Sequence, residues 1–138
     1  FFARDALIVE GPEDEIAVIA TARKLGRIME LPDELGVSIV VTNGKGDIPK
    51  FQKVLNAFGL QYGVLLEMDG KDDADNQNAL IQELAAGNRV SKIPEKLEAL
   101  AGVDANHFSD QRHTRMFFAD PNNINGDVEM MVGQLLPA

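Results

Sequence analysis

Three short stretches of this chain are apolar at almost every position: Leu7-Ile8-Val9, Val37 to Val41, and Val64-Leu65-Leu66. A strand with one wet face alternates apolar and polar residues, whereas a strand covered on both faces reads as a continuous apolar run. Between the runs, the apolar positions fall at helical spacing instead. Ile16, Val18, Ile19, Ala22 and Leu25 follow the first run and stop at Gly26. Ile48, Phe51, Val54, Leu55 and Phe58 follow the second and stop at Gly59. This alternation predicts an α/β domain, with about four mainly parallel strands and helices on both faces of the sheet.

Strands are expected near residues 6–10, 37–42 and 63–68, and "RMFFAD" predicts a fourth near 115–119. Further helices are expected over 78–86, over 94–100 and in "DVEMMVGQLL". Gly87, Pro94 and Gly102 interrupt residues 87–112, which read as a peripheral excursion outside the central sheet. A length of 138 residues fits a single domain, 1–138, with one hydrophobic core. The opening Phe1-Phe2 leads us to expect a piece of a longer protein. No apolar run is long enough to cross a bilayer. The lack of cysteine rules out disulfides and thiolate metal sites, and fits the cytoplasmic setting we expect.

Two of the apolar runs end in carboxylates. "LIVEGPEDE" drives a buried strand into Glu10 and turns at Gly11-Pro12, while "YGVLLEMDGKDDAD" ends in Glu67 and Asp69. Glu13 and Glu15 need no function, because acids complement the positive N-terminus of a helix. Asp72, Asp73 and Asp75 suit a solvated turn and a helix cap. Glu10 has no such role. Asp14 returns one helical turn after it, and in parallel strands Glu10, Glu67 and Asp69 emerge on one rim. Several carboxylate oxygens at one place suit Mg²⁺ or Mn²⁺. With 22 acids against 13 bases the net charge is −9, which repels nucleic acid unless bound cations invert the local field. An EF-hand loop started at Glu67, Asp69 or Asp73 fails at its glycine or glutamate position, and "NGKGD" lacks the spacer and the Lys-Ser/Thr pair of a Walker A loop. Gly44 and Gly46 instead suit a tight strand-to-helix turn, with Lys45 in reach of a phosphate. His107 and His113 lack helical metal spacing and read as ordinary loop residues.

At "LIVEGPED", "VVTNGKGDIPKFQKVLNAFGL", "VLLEMDG" and "NGDVEMMVG" the sequence resembles the Toprim domain, in the version found in OLD-family (overcoming lysogenisation defect) nucleases. The resemblance covers most of the chain and is weakest over 87–112. It implies a Rossmann-like fold and a divalent-metal-dependent endonuclease that hydrolyses DNA phosphodiester bonds with two ions. By that resemblance Glu10, Glu67 and Asp69 are catalytic, and the metal ligands are Glu10, Asp14, Glu67, Asp69 and Glu129. Glu10 and Asp14 would hold one ion, Glu67 and Asp69 the other, with Glu129 assisting. The implied cofactor is Mg²⁺ or Mn²⁺. The implied partners are DNA and an ATPase domain of the same parent chain, through which alone ATP would act. There is no membrane partner, and any contact between copies would fall to regions outside this chain. Two positions depart from the family pattern: Glu67 stands for the usual first aspartate and Asp14 for the usual glutamate.

Two other readings stay open on the sequence alone. A receiver-like signalling domain would use an acidic Mg²⁺ pocket with Asp69 as phosphoacceptor, although Glu10 is followed by glycine rather than a second acid. A catalytically degenerate Toprim would only bind partners. Arg89, Lys92, Arg112 and Arg115 are candidates to guide a phosphate backbone, and scattered surface bases are the plainer explanation.

Overall fold

The computed structural model describes residues 5–29 and 35–137. The Phe1–Arg4 lead lies outside them. The three apolar runs form β1 (Asp5–Val9), β2 (Ser38–Val41) and β3 (Gln61–Glu67). A fourth strand, β4 (Arg89–Ile93), completes a sheet of order β2-β1-β3-β4 in which every pairing is parallel. Helices α1 (Pro12–Lys24), α2 (Ile48–Ala57) and α3 (Asn76–Ala85) connect successive strands. After β4 come α4 (Leu97–Ala101), α5 (Gln111–Ala119) and α6 (Gly126–Leu135).

Successive side chains of a strand point to opposite faces, so each apolar run divides between two cores. Leu7, Val9, Leu65 and Ile93 pack with Val18 of α1, Leu97 of α4, Phe118 of α5 and Val132 of α6. Ala6, Ile8, Val64 and Leu66 pack with Ile48 of α2 and Ile81 of α3. Leu7, Ile8, Val9, Leu65 and Leu66 are fully buried, and each such side chain contributes about 1.5–3 kcal/mol of hydrophobic stabilisation. The helices begin where their sequences dictate. Pro12 opens α1, and the side chains of Asp75, Asp110 and Asn125 accept hydrogen bonds from Asn78, Arg112 and Val128 to cap α3, α5 and α6.

Two sequence expectations are corrected. Residues 115–119 are the last half of α5, not a strand. The run Met116-Phe117-Phe118 is apolar throughout, but Met116 is exposed while Thr114 and Phe118, four apart, are buried, which is helical periodicity. Residues 87–112 are not peripheral, because β4 lies within them and pairs with β3 from Gly63↔Arg89 to Glu67↔Ile93. This edge strand needs few apolar residues, since its polar side chains find distant partners. Ser91 Oγ donates to Met131 O at 2.9 Å, and Lys92 lies 3.4 Å from Asp73. Arg89 grips Asp5 at 2.7 and 3.1 Å and donates to Leu135 O at 3.0 Å, tying the start of β1 to the end of α6. Gly63 makes room for that junction: a Cβ there would stand 2.7 Å from Leu135 O.

Candidate metal centre

In an open parallel sheet the crevice for a ligand lies beyond the carboxyl ends of the strands, where the order reverses. Here β1 has β2 on one side and β3 on the other, so the reversal falls between β1 and β3. Glu10 follows β1 directly and Glu67 is the last residue of β3. The loop after β2 is fastened to the same rim. Thr42 Oγ1 donates to Val9 O at 3.0 Å and Glu10 O at 3.2 Å, and Gly44 N donates to Glu10 O at 3.2 Å. Asp14, in the first turn of α1, is completely buried and accepts from Gly11 N at 3.1 Å. Gly11 O accepts from Asp14 N in return, which fixes the carboxyl against the strand end.

Asp69 sits on a turn with φ of +58°, in the left-handed region that aspartate tolerates better than most residues. Met68 N and Gly70 N donate to Ile93 O and Pro94 O at 2.9 and 2.8 Å, so the end of β4 shapes this turn. Buried Asn78 holds it from below, donating to Met68 O at 3.2 Å and Asp72 O at 3.1 Å.

The electrostatics divide the four acids into two kinds. Burial, then the charge of Glu10, pushes Glu67 up to about 7, against the pull of Lys96 and a hydrogen-bonding contact with Asp14. Burial raises Asp14 well above the carboxylate range, with Glu67, Glu13 and Glu10 adding to it. Burial also raises Glu10, opposed by Lys96 and reinforced by Asp69. Asp69 goes the other way: burial would raise it, but bonds from Lys96 and Lys45 hold it below the usual value. Lys45 Nζ is 3.0 Å from Asp69 Oδ2 and 2.7 Å from Glu67 O, and Lys96 Nζ is 2.8 Å from Asp69 Oδ1. Three carboxyls thus crowd together at electrostatic cost, while the fourth is neutralised by lysine.

These residues fit a divalent cation in their chemistry. Glu10 Oε2, Asp14 Oδ1 and Asp69 Oδ1 are buried and without a hydrogen-bond partner, and hard oxygen donors under mutual repulsion suit Mg²⁺ or Mn²⁺. As the side chains stand, no three acidic or histidine groups among the described residues are arranged to hold one ion.

Glu129 does not join this rim. It lies 3.7 Å from Lys24 at the far end of α1, and the helix rise puts Lys24 about 15 Å along the axis from Asp14. Arg89 is spent on Asp5, at the amino ends of the strands, and Lys92 on Asp73. Lys45, expected from the sequence within reach of a phosphate, contacts Asp69 and Glu67 O at the rim. Lys96 was not singled out by sequence reasoning. Its signal is the segment "KIPEK", whose lysine follows a strand end, and it was missed because β4 was not recognised.

Residues 1–69, which contain Glu10, Asp14, Glu67 and Asp69, match the family model described as overcoming lysogenization defect protein-like, TOPRIM domain. No curated protein matches the chain significantly. Among solved structures, the C-terminal region of the Burkholderia pseudomallei OLD protein superimposes with a TM-score of 0.56 at 21% identity, covering 100% of this chain and 93% of that one. The C-terminal region of the Xanthomonas campestris pv. campestris OLD protein gives 0.50 at 19% identity, covering 96% and 79%. The shared feature is the four-stranded parallel sheet with its surrounding helices.

Proposed function

The chain belongs to the OLD-like TOPRIM family, and from that premise we propose that it is a divalent-metal-dependent endonuclease domain that nicks or cleaves DNA. The observation that carries this reading is the trio Glu10, Asp14 and Glu67, crowded at the β1–β3 reversal with raised pKa values and two partnerless buried oxygens. A cation bound there would polarise the phosphate oxygens and ready a water for attack. The chain's own residues then have distinct tasks. Glu10, Asp14 and Glu67 supply the oxygen ligands. Asp69 anchors Lys45 and Lys96, and the Lys96 side chain, 57% exposed, offers a positive charge to an approaching phosphate. That local charge answers the overall negative balance of the chain.

The two solved relatives are each described as the C-terminal region of an OLD protein. By analogy this domain works beside an ATPase domain in a longer parent chain, with ATP bound only there. The receiver-like alternative gains no such support, since the matching family model is the OLD-like TOPRIM domain.

Supercoiled plasmid incubated with the protein and Mg²⁺ or Mn²⁺ should be nicked, and EDTA should abolish the reaction. Loss of a ligand that supplies several kcal/mol of transition-state stabilisation predicts at least about a hundredfold slower nicking by Glu10→Ala. Equal nicking by both proteins would refute the assignment.

A further inference from the structure

The sheet has two edges, β2 and β4. An edge strand presents unpaired backbone groups, which proteins blunt with charge or proline or cover with other chain. β4 carries Arg89 and Lys92, whereas Ser38-Ile39-Val40-Val41 of β2 has neither charge nor proline. Thr42 N donates to Val9 O at 3.0 Å, toward β1. Alternate residues of a strand turn their backbone groups to opposite sides, so the N–H and C=O of Ile39 and Val41 face the open edge. The neighbouring surface is apolar too. Gln52 and Asn56 of α2 donate to Ile81 O and Leu84 O at 2.8 and 2.9 Å, which turns that flank of α2 toward α3. α3 packs over β3 and β4, and α2 over β1 and β3, so the opposite flank of α2 lies on the β2 side. That flank carries Phe51, Val54 and Phe58, one helical face, which are 39%, 53% and 76% exposed.

We propose that a second copy of this chain covers this surface, with the two β2 strands paired antiparallel about a twofold axis and the Phe51-Val54-Phe58 flanks of both α2 helices packed beside them. In that arrangement identical edges complete each other's hydrogen bonds and identical apolar flanks meet. Charge favours this contact over any other between copies. The chain carries −9 overall, so two copies repel across most of their surfaces. Residues 36–66 hold only one of the 22 acids, Asp47, and Lys50 pairs with it at 3.0 Å. Association through β2 and α2 therefore joins the acid-poor sides of both copies. The family resemblance alone puts contact between copies outside this chain; the uncovered edge puts it within. Two four-stranded sheets become one continuous sheet, and the strand ends that carry Glu10 and Glu67 point in opposite directions in the two copies.

Sedimentation equilibrium and amide hydrogen exchange test this together. The wild type should sediment at about 30 kDa, twice the 15.0 kDa of one chain, with the Ile39 and Val41 amides protected. Val54→Glu and Phe58→Glu change exposed side chains and leave the core intact. Each should halve the mass and speed exchange at Ile39 and Val41 at least about tenfold. Met116→Glu places the same charge on an apolar residue of α5 that is 69% exposed, and should remain dimeric. A monomeric wild type would overturn the inference and leave the edge to another segment of a longer chain or to a different protein. A dimer that survives both α2 variants, or whose Ile39 and Val41 amides exchange freely, would overturn the β2 contact. Loss of the dimer in Met116→Glu as well would overturn it too, by showing that added negative charge anywhere dissociates the copies.

Discussion

Glu67→Gln should stabilise the metal-free protein by about 3 kcal/mol at pH 8, and by almost nothing near pH 4.5. Glu67 titrates at about 7 in the folded protein against an ordinary value of 4.5. Between those values the folded protein holds a proton that the unfolded chain has released. Stability is therefore fully present below about pH 4.5 and declines as pH rises through about 7. Each pKa unit corresponds to 1.36 kcal/mol, so the interval amounts to about 3 kcal/mol lost above pH 7. Glutamine keeps the shape and cannot ionise, which removes the loss. Asp14 and Glu10 are raised as well and act in the same direction. Urea unfolding in EDTA at the two pH values would measure the difference. Equal stability of the variant and wild type at pH 8 would show that the carboxyls are not crowded as described.

The junction far from the metal centre should respond more sharply still. Asp5 is 7% exposed, and its two oxygens are held by the Arg89 guanidinium at 2.7 and 3.1 Å. Arg89→Met leaves a buried carboxylate without a partner and Leu135 O without its donor, and should cost at least about 3 kcal/mol. The Asp5→Leu/Arg89→Met pair removes both charges and should recover most of that loss, because a buried ion pair replaced by apolar groups is often neutral. Recovery distinguishes a stranded charge from a simple packing defect. A single variant within about 0.5 kcal/mol of wild type in urea unfolding would contradict the pairing.

The parts of the fold legible in the sequence are those that local pattern determines. β1, β2 and β3 are continuous apolar runs, and α1 and α2 have a proline start and a glycine stop, so each announces itself. β4 does not. Its sequence, Arg89-Val90-Ser91-Lys92-Ile93, becomes a strand through β3 pairing and through Asp5, Met131 and Asp73, all far away in sequence. The misreading of Met116-Phe117-Phe118 has the opposite cause: those residues look like a buried run because Phe117 and Phe118 join an aromatic cluster with Phe108, while Met116 faces out.

The same division applies to the candidate site. Glu10, Asp14 and Glu67 stand out in sequence because strand ends and a helical turn have fixed geometry. Lys96 does not, because its place depends on the end of β4. Glu129 was misjudged because the docking of α6 against α1, through Lys24, is a tertiary contact. Lys45 reads in the sequence only as within reach of a phosphate; that it meets Asp69 and Glu67 O depends on the tertiary fold.

The most direct test of the central claim, that the β1–β3 rim holds a cation, is anomalous diffraction from crystals of the protein soaked in Mn²⁺. The account predicts a peak within bonding distance of carboxylate oxygens of Glu10, Asp14 and Glu67, absent from Glu10→Ala crystals. A map without a peak at that rim, or with Mn²⁺ bound only elsewhere, would contradict it.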